Sequence, residues 1–212
     1  MDTFDDMFVF VKQCLSENDG VATKIGYFPF RKRSEHIWRV FQWVKRLIDD
    51  DNFDVAIDRD SVLIAALFHD VGYTLSLVGA QHAENSAVVF NRYAIEKKFD
   101  KEKQAFISYL IQNHSQKSLF DVGGTPLELI ILMEADLLDE TGAMSIVWDC
   151  MAEGGQDEQS FAKTYNKINS FSHKTLNANP MKTAKAKEFW VKKQALLQEF
   201  LDHLAVDLAI KE

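Results

Sequence analysis

Apolar residues return every three or four positions along most of this chain, a period that fits an α-helix and excludes a half-buried strand. Between Glu35 and Ile48, the residues His36, Val40, Trp43, Val44 and Leu47 fall on one helical face. The run Val62–Phe68 forms the heart of the next expected helix, with Asp60 as a cap and Gly72 as a stop. Residues 82–99 and 101–113 predict two more helices. Beyond Gly123-Gly124, Thr125, Pro126 and Glu128 compose a capping box with proline at the first helical position, for a helix running to about Glu140. Shorter helices are expected over 142–152, closed by Gly154-Gly155, and over 157–170. Asn179-Pro180 opens a last long helix to about residue 210, with Phe189, Leu196, Leu197, Phe200, Leu201 and Leu204 as its stripe. No stretch alternates well enough to predict a sheet strand. The expected fold class is therefore all-α: a single helical domain over 1–212, with a core at about 30–152 and a C-terminal helical part at about 157–210.

The longest apolar run, Val62 to Phe68, has seven residues, against the roughly 20 that span a bilayer. The start, MDTFDDMFVF, carries acids where a signal peptide carries bases. A cytoplasmic protein with no membrane association is expected. Lys and Arg number 24 and Asp and Glu 32, a net charge of −8, which repels polymeric nucleic acid and acidic lipid. Cys14 and Cys150 share no metal-like spacing and are expected as buried free thiols. The lysines between Met181 and Lys193 suit a solvated helix face, whereas Arg31-Lys32-Arg33 gains interest from its place just before His36.

Chemistry concentrates on a few residues. His69 and Asp70 end a very apolar helix, so the pair is delivered to the interior. A buried carboxylate beside an imidazole is costly without compensation. A bound cation would supply it, and so would a simple hydrogen bond between Asp70 and a core histidine. His36 lies 33 residues before His69; His82, His114 and Asp136 follow Asp70 by 12, 44 and 66 residues. Asp136 stands inside LELIILMEADLL, a helix with little other use for an acid. Imidazoles and carboxylates converging from several helices suit Mn, Fe, Co, Ni or Zn, as one ion or two.

The order His36 (EHIWRV), His69-Asp70 (LFHDVG), Asp136 (EADLLD) resembles the HD superfamily of metal-dependent phosphohydrolases, with its His, His-Asp doublet and distal Asp on helices. His82 (QHAENSA) and His114 (IQNHSQ) occupy the places of two further histidines in two-metal members. TPLELIILMEADLLDETGA and SHKTLNANPMKT are similar to segments of small bacterial HD proteins assigned as nucleotide pyrophosphohydrolases. The resemblance implies an HD-type bundle with a long C-terminal helix, and metal ligands His36, His69, Asp70, His82, His114 and Asp136. It also implies hydrolysis of a nucleotide or other small phosphorylated metabolite by a metal-activated water. Separately from the resemblance, a homodimer is one assembly considered, with the oligomeric state left open. Asp70, shared between metals if two bind, and His82 and His114, as ligands or phosphate donors, form the catalytic set. Three departures stand out: Leu137 and Trp148 where that branch usually has Arg, and Tyr73 in place of a Lys.

Four residues are candidates for substrate contact. Arg39 shares a helical face with His36, Lys117 lies three residues beyond His114, and Lys174 adjoins His173. Glu84, two past His82, could orient a water or a histidine. His173 and His203 read as surface histidines. The same six ligands also serve HD-type di-iron oxygenases that cleave C–P or C–C bonds, and a non-catalytic regulatory domain is the remaining alternative.

Overall fold

A computed structural model describes residues 3–17, 19–23, 26–50, 53–76 and 81–210. The chain divides into two compact units, Met1–Asp136 and Leu137–Glu212.

The first unit opens with α1 (Phe4–Leu15), a helix absent from the sequence expectations. Thr3 and Asp6 cap it. Thr3 Oγ1 accepts from the Asp6 amide at 3.2 Å, and the Asp6 carboxylate takes the Thr3 amide at 3.0 Å, a reciprocal capping box. Met7, Val11 and Leu15, four residues apart, form the buried stripe. Strands β1 (Val21–Thr23) and β2 (Gly26–Phe28) then pair antiparallel, with Val21 opposite Phe28. Three residues per strand are too few for alternation to show, so the sequence pattern predicts no strand here. The fold is nonetheless all-α, with this two-stranded ladder as an addition.

Helices α2 (Arg33–Asp50), α3 (Arg59–Phe68), α4 (His82–Glu96), α5 (Lys101–Asn113) and α6 (Leu127–Asp139) complete the bundle. The unit boundary falls inside α6, after Asp136. Asp58, not Asp60, caps α3, accepting from the Ser61 amide at 3.0 Å and its hydroxyl at 2.6 Å. Every residue from Ser61 to Phe68 is buried, so α3 is the central helix, apolar on all sides. Phe68 meets Phe90, Tyr93 and Phe10 at centroid separations of 5.3, 5.1 and 6.0 Å. Helix α4 stops at Glu96 rather than 99, because Lys98 turns left-handed at φ 56°. The capping box expected at α6 does not form. Thr125 donates its hydroxyl to the Leu119 and Val122 carbonyls, and Glu128 takes the Asp58 amide at 2.7 Å.

Two short 3₁₀ turns extend the chain past buried helix ends, Val71–Thr74 after α3 and Lys117–Asp121 after α5. At Gly72 a Cβ would stand 2.3 Å from both the His82 carbonyl oxygen and the Ser86 amide nitrogen. The missing side chain is what lets the first turn of α4 lie against this segment, sealed by a Gly72 amide bond to Ser86 Oγ of 2.8 Å.

In the second unit, α7 (Ala143–Gly154) starts from Gly142 at φ 70°. Helix α8 (Phe161–Lys167) runs through a π-helical stretch, Ile168–His173, into α9 (Lys174–Leu176). The last helix, α10 (Ala184–Asp207), begins four residues after Pro180, capped by Thr183. Its buried residues are Ala186, Trp190, Leu197 and Leu201, whereas Leu196 of the expected stripe is exposed. Trp190 Nε1 donates to the Leu176 carbonyl at 3.3 Å. Cys14 is half-buried and Cys150 exposed, correcting the expectation of two buried thiols: Cys150 sits on the outer side of α7, next to the inward-facing Asp149. No helix among the described residues is long and apolar enough to cross a membrane.

Candidate metal centre

Two helices of the first unit end in the same way. His69 is the C-cap of α3 and His114 the C-cap of α5. The last carbonyls of a helix lack intrahelical donors. His69 Nδ1 donates to the Ala66 carbonyl at 2.8 Å, and His114 Nδ1 donates to Ile111 at 2.7 Å, each reaching back three residues. A carbonyl only accepts, so Nδ1 carries the proton and Nε2 of the neutral ring keeps a lone pair. Burial pushes His69 down to about 3, and the nearby Asp70 and Asp136 do not reverse it, so its ring is neutral.

The Nε2 atoms meet partners from the other helices. His69 Nε2 lies 3.2 Å from His36 Nε2, on α2. His36 Nε2 is 3.3 Å from Asp136 Oδ1, on α6, and His69 Nε2 is 4.0 Å from that same oxygen. A parallel group forms alongside. His82 Nε2, from the first residue of α4, stands 3.2 Å from His114 Nε2. Asp70 Oδ1 is 3.5 Å from His82, 3.6 Å from His114 and 3.9 Å from His69. Its other oxygen, Oδ2, faces His36 at 3.7 Å. The Asp70 carboxylate thus stands between the two groups.

Two cations flank the carboxylates. Arg33 donates to Asp70 Oδ2 at 2.8 Å, and Lys117 donates to Asp136 Oδ2 at 2.8 Å as well as to the His114 carbonyl at 2.9 Å. Burial would raise the Asp70 carboxyl, but with the His69 ring neutral it is the Arg33 guanidinium at 2.8 Å that opposes this, and the carboxyl is held well below the usual carboxylate range. Asp136 is treated likewise: burial raises it, while Lys117 and a hydrogen bond from His36 bring it down. Both carboxylates are ionised.

The donor set fits a metal. Imidazole lone pairs aimed at one another at 3.2 Å gain nothing unless a proton or a cation lies between them. Ligands about 2.1 Å from a shared ion stand roughly 3.0–3.4 Å apart at octahedral or tetrahedral angles. His36, His69 and Asp136 form one group of ligand atoms compatible with an ion, and His69, Asp70 and His114 form another. Nitrogen and carboxylate oxygen without thiolate suit Mn, Fe, Co, Ni or Zn.

The six ligand candidates come together. Of the four substrate-contact candidates, Lys117 joins them. Lys117 reaches the cluster through Asp136. Half-buried Arg39 lines a separate cavity of about 360 Å³ with Phe8, Lys12, Asp19 and Trp38. Glu84 is exposed in the first turn of α4, and among the described residues no hydrogen bond or ion pair joins it to the ligands. Lys174 is exposed on α9, in the second unit. Sequence reasoning missed Arg33 as an individual residue, because Arg31-Lys32-Arg33 looks like a simple basic run. The usable signal is its spacing, one turn before His36 on α2.

The HD domain family matches residues 33–141, just over half of the chain. No curated protein matches it in sequence. An HD-superfamily hydrolase from Bacillus thuringiensis superposes with a TM-score of 0.70 at 18% identity, covering 98% of this chain and 97% of its own. A predicted HD-superfamily hydrolase from an uncultured Thermotogales bacterium gives 0.64 at 20%, covering 96% and 92%. Bacillus subtilis YpgQ in complex with ADP gives 0.63 at 19%, covering 97% of each chain. These similarities extend over both units.

Proposed function

The chain belongs to the HD-domain family, and from that premise we propose that it is a cytosolic metal-dependent phosphohydrolase acting on a nucleotide or another small phosphorylated metabolite. One observation carries the reading: four imidazole Nε2 atoms and the carboxylates of Asp70 and Asp136 converge from five segments of the chain, each within 4.0 Å of at least two others. His36, His69, Asp70 and Asp136 would hold one ion, and His82 and His114 with Asp70 a second. When bound, such a metal polarises phosphoryl oxygens and lowers the pKa of a coordinated water.

The rest of the work falls to the chain. His69 and His114 keep their lone pairs toward the site because their Nδ1 protons are spent on helix carbonyls. Arg33 and Lys117 hold Asp70 and Asp136 ionised, the form in which both carboxylates could ligate a cation. Arg39 is proposed to contact a substrate group reaching its cavity, and Glu84 and Lys174 to act in substrate binding from outside the ligand cluster. The ADP complex of YpgQ supports a nucleotide as the first substrate class to examine.

The test is a panel of nucleoside mono-, di- and triphosphates and simple phosphoesters, given to protein loaded separately with Mn, Fe, Co, Ni and Zn. Phosphate or pyrophosphate release that disappears with chelator is the expected result. Oxygen uptake without phosphate release would replace hydrolysis with the di-iron oxygenase reading.

A further inference from the structure

Among the four converging imidazoles, His82 lies against a tyrosine ring. His69 and His114 are C-caps with Nδ1 bonded three residues back along their own helices. His82 is the first residue of α4, at the opposite helix end. Its ring lies nearly parallel to that of Tyr73, with centroids 5.1 Å apart and planes inclined by 17°. The Arg33 guanidinium also packs on the Tyr73 ring, 3.7 Å from its centroid. That guanidinium bonds Asp70 Oδ2 at 2.8 Å, while Asp70 Oδ1 stands 3.5 Å from His82 Nε2. The contacts close a circuit: Asp70, Arg33, Tyr73, His82 and back to Asp70.

Arg33 shows that this circuit constrains its members. Its Nε is buried and has no hydrogen-bond partner. A guanidinium free to choose would satisfy that donor; here its plane is set by the ring beneath it and by Asp70 in front. Tyr73 itself belongs to the 3₁₀ turn that Gly72 lets approach the start of α4. Ring and imidazole are therefore brought together by the same close backbone contact.

We infer that Tyr73, held by Arg33, is a positioning residue for His82, fixing the plane of the imidazole by stacking. The inference rests on the metal-hydrolase reading for its consequence, but not for its test. The flat ring orients the histidine by stacking and attracts the guanidinium through its π face.

The experiment uses the full chain with ¹⁵N-labelled histidine rings, followed by two-bond ¹H–¹⁵N correlation, with His82 assigned from His82→Asn. In metal-free Tyr73→Ala, the His82 signals are expected to shift and broaden while those of His69 and His114 hold. Tyr73→Phe, which keeps the ring, restores the His82 signals; Tyr73→Lys does not. Tyr73→Leu keeps apolar bulk without a flat face and behaves as Tyr73→Ala, which covers the case in which the alanine variant fails to fold. Removal of groups that support a metal ligand typically costs about 10–100-fold in metal affinity or activity. That loss is expected for Tyr73→Leu in Mn content and in kcat, with KM within about threefold. Unchanged His82 signals in folded Tyr73→Leu would overturn the inference, as would equal disturbance of all the imidazoles. A wild-type protein that binds metal yet hydrolyses nothing would sink the functional reading and leave the positioning result standing.

Discussion

Asp70 carries the heaviest demands of any single residue. One of its oxygens is shared by Arg33 and His36, and the other by three imidazoles. Asp70→Ala should remove metal binding and with it hydrolysis, by a factor of about 10³ or more, since metal charge and water activation are lost together. From the sequence alone, loss of a buried carboxylate looks cheap for the fold. Arg33 changes that. With Asp70 gone, a guanidinium only 13% exposed loses its counter-ion, and breaking a buried pair on one side costs about 3–5 kcal/mol. Asp70→Asn keeps an acceptor for Arg33 and removes the charge, so it should be as inactive as Asp70→Ala yet melt closer to wild type. Parallel melting curves and metal analysis of the two variants check this; equal melting temperatures would contradict the role given to Arg33. Gly72→Ala should act through geometry instead. Its Cβ would meet backbone atoms of His82 and Ser86 at 2.3 Å, and backbone in a helix cannot step aside as a side-chain tip can. A loss of about 2–3 kcal/mol is expected, as for other overpacked sites, with His82 displaced along with the first turn of α4. A wild-type melting temperature in Gly72→Ala would count against that close approach.

At the scale of elements, long helices with a plain 3.6 period are legible in the sequence, and their ends less so. α2 and α5 lie where the spacing puts them because each buries one continuous face. The cap of α3 falls on Asp58 instead of Asp60 because either carboxylate can precede the apolar run, and only the bond to Ser61 decides between them. The start of α10 lies later than expected because a proline permits a helix without compelling one; Thr183 accepting from Ala186 is what begins it. The ligands are legible for a sturdier reason: charge at the ends or centres of helices with no solvent-facing use for it. Arg33, Tyr73 and Gly72 are not, since their roles exist only where one segment meets another. The second unit holds a further such residue. Asp149 is buried on α7 and accepts the Ser172 hydroxyl at 2.5 Å, from within the π-helical stretch. Burial pushes its carboxyl up, Ser172 and Lys167 oppose that, and Glu153 adds to it. An acid raised in the folded state binds more protons there than in the unfolded chain, so stability falls as pH rises above its ordinary value near 3.8. Asp149→Asn lacks that fall. Its melting temperature relative to wild type should therefore climb between about pH 4 and about pH 7, and a constant difference would refute the raised carboxyl.

For the whole molecule, the charge balance decides how an anion could be bound at all. The chain carries a net charge of −8, and the cations beside the ligand cluster are already engaged, Arg33 with Asp70 and Lys117 with Asp136. With both carboxylates ionised, those four groups sum to nothing, which leaves the metal-free site without attraction for phosphate. One divalent ion makes the same site positive, in a buried setting where salt screens weakly. Two linked results are expected. Saturating Mn or Co, at about 100 times its dissociation constant, should stabilise the protein by about 2.7 kcal/mol, a rise of roughly 5–10 °C in Tm for a chain of this size. Calorimetric titration should then detect inorganic phosphate binding to the metal-loaded protein and none after chelation. Phosphate binding of equal strength with and without metal would mean that protein cations, not a metal ion, supply the positive charge, and the metal-centred account of this site would have to be abandoned.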